Sequence, residues 1–167
     1  MTDNELDDQS IEEETTELRI TRTVDTPRER LWKAWTDPEQ VAKWWGPNGF
    51  TNTVHEMNVR PAGVWRFVMH GPDGADYYNE FVYDEIVEPE RLVYTHPPNE
   101  ENGFLWFQVT VAFEESDGGR TDLTFRMDFD SAADRKRLEE FGGFESANQT
   151  LDRLVGFMAN GGDGGGE

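Results

Sequence analysis

Four side chains in this sequence have the chemistry of a general acid or base and lie close together along the chain: Tyr83, Glu85, Tyr94 and His96. Phenol, carboxylate and imidazole groups within reach of a bound molecule would support cyclase or hydrolase chemistry. They are the plausible acid or base groups for such chemistry, but the sequence does not demonstrate catalysis and no catalytic residue is assigned. His55, His70 and His96 fall on three different strand-like segments or their ends, without a helical i,i+4 pair and without cysteine. That spacing does not make a zinc site, and no metal is expected. Each reads instead as a surface or hydrogen-bonded histidine. The pairs Glu114-Glu115 and Glu139-Glu140 are neighbours in a very acidic chain and read as solvated surface. Asp73-Gly74 and Gly118-Gly119 have the chemistry of hairpin turns. No strand-to-helix glycine loop followed by lysine is present, so neither a phosphate-binding loop nor a cofactor is expected.

The stronger pattern is apolar. Alternate residues of a strand share a face, which groups Trp65, Phe67 and Met69. The same rule groups Leu105, Phe107, Val109, Val111 and Phe113, and then Leu123, Phe125 and Met127. The segment 77–87 is ambiguous in parity, with Asn79, Phe81 and Tyr83 favoured inward, and Tyr94 and His96 pointing the same way. These faces would either fill a solid core or line an apolar cavity with a few orienting polar groups, as a small-molecule site requires. Asn148 falls between Phe144 and Leu151 on the inner stripe of a C-terminal helix, where a buried amide needs a backbone, water or ligand partner. The candidate ligand-binding set is therefore Trp65, Phe67, Met69, Phe81, Tyr83, Tyr94, Phe107, Phe125 and Met127 from strands, with Phe144 and Asn148 from the helix. Trp44-Trp45 before Gly46-Pro47 would suit a lid, although helical spacing from Val41 puts at least one indole in the core.

The elements that must position these groups are legible. Ser131 to roughly Asn160 reads as one long helix, about 45 Å at ~1.5 Å per residue, with Leu138, Phe141, Phe144, Leu151, Leu154, Val155 and Met158 as its buried stripe. Gly142-Gly143 inside it costs about 1 kcal/mol per glycine against alanine, which suggests a kink or a close approach to the sheet. Glu17 to Val24 alternates as a first strand. Two short helices follow: Thr26, Pro27 and Glu29 form a start signal, and Asp37, Pro38 and Gln40 repeat it. Leu31, Ala34 and Trp35 make the first buried face, Val41, Trp44 and Trp45 the second. Strands are expected at Thr51–Asn58, Val64–His70, Tyr77–Val87, Arg91–His96, Phe104–Glu114 and Thr121–Phe129, joined by turn-forming clusters such as Pro61-Ala62-Gly63 and Asp117-Gly118-Gly119. Short links imply antiparallel neighbours.

The chain of 167 residues suits one domain, 17–160, between an acidic disordered tail at 1–16 and a flexible glycine-rich end at 161–167. Its formal net charge of -20 opposes phosphate backbones, so nucleic acid is an unsuitable partner. Lysine is scarce: arginine outnumbers it twelve to three among the 15 basic residues. An acidic, lysine-poor surface fits a protein working in high salt, an ordinary acidic protein being the alternative. No apolar run reaches the length of a membrane span, the acidic start does not resemble a secretory signal, and zero cysteines favour a cytoplasmic setting.

The ordered set of motifs, Thr-Pro-Arg-Glu-Arg-Leu-Trp-Lys-Ala-Trp-Thr-Asp-Pro-Glu at 26–39, Trp44-Trp45-Gly46-Pro47, Pro61-Ala62-Gly63, Gly71-Pro72-Asp73-Gly74 and Pro89-Glu90-Arg91-Leu92, resembles the activator of heat shock protein 90 ATPase homologue family. That family belongs to the START-like, or SRPBCC, superfamily. The likeness runs from about Leu18 to Met158, with Pro-Ala-Gly at 61–63 where the family commonly has a glycine pair. It implies an α+β helix-grip fold, a curved antiparallel sheet wrapped around a long C-terminal helix, as in the birch pollen allergen. It also implies a cavity for an apolar or amphipathic small molecule, without a catalytic constellation. A protein-interaction module of the co-chaperone type is the alternative, and a cyclase- or hydrolase-like enzyme the second alternative. Fold likeness alone does not choose among them.

Overall fold

The computed structural model describes residues 15–98 and 105–161. Seven strands are present: β1 (Glu17–Val24), β2 (Thr51–Met57), β3 (Val64–His70), β4 (Asp76–Val87), β5 (Arg91–His96), β6 (Phe107–Ser116) and β7 (Arg120–Phe129). Helices α1 (Arg28–Thr36) and α2 (Pro38–Trp44) follow β1, while α3 (Ala132–Glu140) and α4 (Gly143–Ala159) close the chain. All neighbouring strands pair antiparallel in the order β1-β7-β6-β5-β4-β3-β2, so β2 to β7 make a meander and β1 lies at the far edge beside β7. The expected α+β helix-grip architecture is present. The tails assigned to 1–16 and 161–167 lie, apart from Thr15, Thr16 and Gly161, outside the described residues, as does Phe104. Thr16 is paired, its carbonyl accepting from the Phe129 amide at 2.8 Å, so β-pairing starts before the expected boundary.

The core lies between the inner sheet face and the helices. Leu31, Ala34, Trp35, Val41 and Trp44 are almost fully buried, and Trp35 meets Phe113 edge-on at 5.9 Å and stacks on Phe125 at 6.2 Å. Asp37 caps α2 as expected, accepting from the Glu39 amide at 3.0 Å with Pro38 in the first turn. Thr26 does not cap α1. Pro27 occupies that position without a side-chain bond. The Thr26 carbonyl accepts the buried Thr121 hydroxyl at 2.7 Å, which ties the start of α1 to β7.

The single long C-terminal helix is corrected to two. The α3 helix ends at Glu140, and Gly142 takes a φ of 81°, a left-handed conformation that a residue with a Cβ adopts only with strain. The close approach at Gly143 is to α3 and not to the sheet: a Cβ there would lie 2.4 Å from Leu138 Cγ. The break shifts the helical phase. Phe141 and Phe144, expected on the buried stripe, turn outward and are 77% and 37% exposed.

Candidate functional site

With the phase reset, the inward face of α4 runs Gly143, Ser146, Ala147, Thr150 and Leu151, spaced i, i+3, i+4, i+7 and i+8. Its first two turns carry small side chains, and only from Leu151 onward do Leu151, Leu154 and Met158 fill the space to the sheet. A cavity of about 210 Å³ therefore remains under the start of the helix. Its far wall is the sheet: Asn79 and Phe81 of β4, Tyr94 of β5, Phe107 and Val109 of β6, and Phe125 and Met127 of β7. Met69 of β3 and Leu138 of α3 add to the sides, and the Trp45-Gly46-Pro47 turn forms one rim.

That rim is fixed to α4. Arg153 Nη1 donates to the carbonyls of Trp45, Gly46 and Pro47 at 3.1, 2.9 and 2.8 Å, satisfying acceptors just past the end of α2. One turn earlier, Gln149 accepts from the Asn48 amide at 3.0 Å. The rim then holds the Trp45 indole edge-on against Trp65 at 4.9 Å. Trp44 is core, its Nε1 donating to the Ala34 carbonyl at 3.0 Å. The adjacent tryptophans thus divide their roles, one structural and one in the cavity wall.

Of the eleven candidate ligand-lining residues, the structure brings Met69, Phe81, Tyr94, Phe107, Phe125 and Met127 together around the cavity. Trp65, Phe67 and Tyr83 face inward as parity requires but lie in the packed aromatic layer away from it, each 1% exposed. Trp65 and Phe67 stack on one another at 4.7 Å. Phe144 and Asn148 lie outside the wall. Asn148 Nδ2 donates to the Phe144 carbonyl at 3.1 Å, and its Oδ1 accepts from Arg22 Nη2 at 2.9 Å. Its amide is held on the flank of α4 facing β1, one residue round from the stripe. Trp45, Asn79, Leu138 and the small residues of α4 were missing from the set. The signal for the last was a run of small residues at helical spacing, silent when only large apolar side chains are tracked.

The acid and base candidates separate. A bulge between Tyr83 and Glu85 inserts an extra residue in β4, so parity resets and Glu85 turns to the outer face. There both its oxygens accept from Arg91, at 3.0 and 3.1 Å, holding the carboxyl below its usual range. His96 is buried, stacks on Phe107 at 4.5 Å, and has Nδ1 3.3 Å from the Leu105 carbonyl. Burial lowers its pKa, the Leu105 bond opposing in part. Burial also pushes the hydroxyls of Tyr83 and Tyr94 well above the ordinary phenol range, so both are neutral. Neither hydroxyl has a hydrogen-bond partner among the described residues. The Trp35 indole nitrogen lies beside the Tyr94 hydroxyl and slightly favours its ionised form, but without the alignment of a hydrogen bond. His55 and His70 stay apart from these groups, and among the described residues no cluster of potential metal ligands occurs. No helix among them is long and apolar enough to cross a membrane.

The family model described as Activator of Hsp90 ATPase homolog 1-like protein matches residues 25–159. No curated protein matches the chain. Among solved structures, an Arthrobacter aurescens protein superposes with a TM-score of 0.81 at 22% identity, covering 87% of each chain. A Nitrosomonas europaea protein gives 0.76 at 22% identity over 87% of this chain and 95% of its own. A Mycobacterium smegmatis protein gives 0.74 at 27% identity over 86% and 90%.

Proposed function

Since this chain belongs to the Activator of Hsp90 ATPase homolog 1-like family of the SRPBCC superfamily, we propose that it binds an apolar or amphipathic small molecule in the cavity between the sheet and α4. The observation that carries this reading is the wall itself: about 210 Å³ bounded almost wholly by apolar atoms, under helical turns whose small residues leave the space unfilled. Close packing leaves few apolar clefts of this size between helix and sheet, because each forfeits dispersion contacts along its wall. A void of roughly 150 Å³ suffices for benzene, so this one suits a compact ligand of about ten non-hydrogen atoms. Acid-base catalysis needs a titratable group in reach of the ligand. Among the described wall residues only Tyr94 titrates, and burial keeps it neutral. Binding without chemistry is the reading this supports.

Titration with naphthalene, followed by NMR of methionine, leucine and valine methyls, tests it. Saturable shifts are expected at Met69, Met127, Leu138 and Leu151, with the outer-face Val93 unmoved. Absence of saturable shifts up to the solubility limit would refute the proposal.

A further inference from the structure

The wall also carries information about the polarity of its ligand. Although the chain is strongly acidic, no Asp, Glu, Lys, Arg or His belongs to the described wall. One cation, Arg153, backs the rim at Gly46, where a Cβ would lie 3.8 Å from its Nη1. That nitrogen already donates to three carbonyls. An anionic head group would enter an apolar site without a counter-charge, and a cation would meet no carboxylate. Either loses hydration that the wall does not replace.

Apart from Tyr94, whose hydroxyl is fully buried, the wall's hydrogen-bonding side chains are Trp45, Asn79, Ser146 and Thr150. Asn79 Nδ2 donates to the Tyr77 carbonyl of its own strand at 3.1 Å, which fixes the amide orientation. The opposite end, Oδ1, accepts nothing among the described residues and is a pure acceptor. Across the cavity the Thr150 hydroxyl donates to the Ser146 carbonyl at 2.8 Å, while the Ser146 hydroxyl has no partner among the described residues. A ligand hydroxyl can donate to Asn79 Oδ1. A ligand carbonyl would oppose its lone pairs to those of Asn79.

Building on the small-molecule reading, we infer that the cavity is a site for a neutral, compact aromatic or alicyclic alcohol or phenol, whose hydroxyl donates to Asn79 Oδ1. The experiment uses the full chain and four matched probes: 2-naphthol, 2-methylnaphthalene, 2-methoxynaphthalene and 2-naphthoate. 2-Naphthol is expected to bind about fivefold or more tighter than 2-methylnaphthalene, the worth of one neutral hydrogen bond, although transfer from water alone would favour the methyl compound. 2-Methoxynaphthalene, which can only accept, from Ser146 or Trp45, should bind less tightly than 2-naphthol, and 2-naphthoate should not saturate. Asn79→Leu should reverse the preference between 2-naphthol and 2-methylnaphthalene while still binding the latter. If that variant does not fold, the order of the three neutral probes on the wild type decides. Equal or tighter binding of 2-methylnaphthalene or 2-methoxynaphthalene than 2-naphthol overturns the inference and leaves the cavity reading standing, as does binding of 2-naphthoate alongside 2-naphthol. No binding by any probe overturns both.

Discussion

Replacing Ala147 by leucine places three additional carbons in the cavity from the middle of the small stripe on α4, between Gly143 and Leu151. Into a well-packed core such an enlargement typically costs 1–3 kcal/mol, through strained rotamers and displaced backbone. Here the space exists. Burying three carbons at ~0.8 kcal/mol each contributes about 2.4 kcal/mol. Fixing a leucine rotamer offsets roughly 0.5–1 kcal/mol of that, and helix propensity scarcely changes. The net expectation is a gain of about 1.5 kcal/mol, equivalent to roughly 3–6 °C in melting temperature for a domain of this size. Urea denaturation is the assay, with a raised midpoint at unchanged slope marking a change in stability alone. Naphthalene binding should fall together with the gain, because leucine and ligand compete for one volume. Leu154→Ala is the reference for packed space. Leu154 is 0% exposed beyond the closed end of the cavity, and its truncation should cost ~2–5 kcal/mol. If Ala147→Leu destabilises by 1 kcal/mol or more while apolar probes bind as before, the volume beside Ala147 is neither open nor the one the probes occupy, and the reasoning fails.

Two further expectations concern charge. Burial lowers the folded-state pKa of His96 below the ordinary 6.5, so beneath that pH the unfolded chain takes up a proton that the folded one resists. Stability should therefore fall as pH decreases from about 6.5 towards the folded-state pKa. Over that window the urea midpoint of His96→Gln should be flatter than that of wild type, and parallel profiles would remove the role assigned to burial. If the acidic, lysine-poor surface is adapted to salt, the melting temperature should climb from about 0.1 M to above 1 M KCl, where the Debye length is roughly 3 Å. A flat or falling curve refutes that adaptation.

The sequence by itself determined the strand meander, the two early helices and the inward face of most strands. The reason is that these follow from period-two alternation and turn chemistry, which are properties of neighbouring residues. Val64–His70 and Arg91–His96 begin and end where alternation and breakers place them. Six of the eleven candidate lining residues meet at one cavity for the same reason, since sharing a sheet face brings them under a common helix. Tertiary structure decided what depends on phase and on a third element. A bulge after Tyr83 sent Glu85 to the outer face and into the Arg91 pair, and alternation alone cannot locate an unpaired residue. The left-handed turn at Gly142 rotated α4, so that Ala147, not Asn148, faces the sheet and Phe144 turns to solvent. Above all, the cavity is a difference between two large volumes, the room between sheet and helix and the side chains that enter it. Large apolar residues announce a core in the sequence. The small ones at 143, 146, 147 and 150 become a binding volume only once the packed part of the molecule, where Trp35, Trp44, Leu154 and Met158 are buried, holds the start of the helix off the sheet.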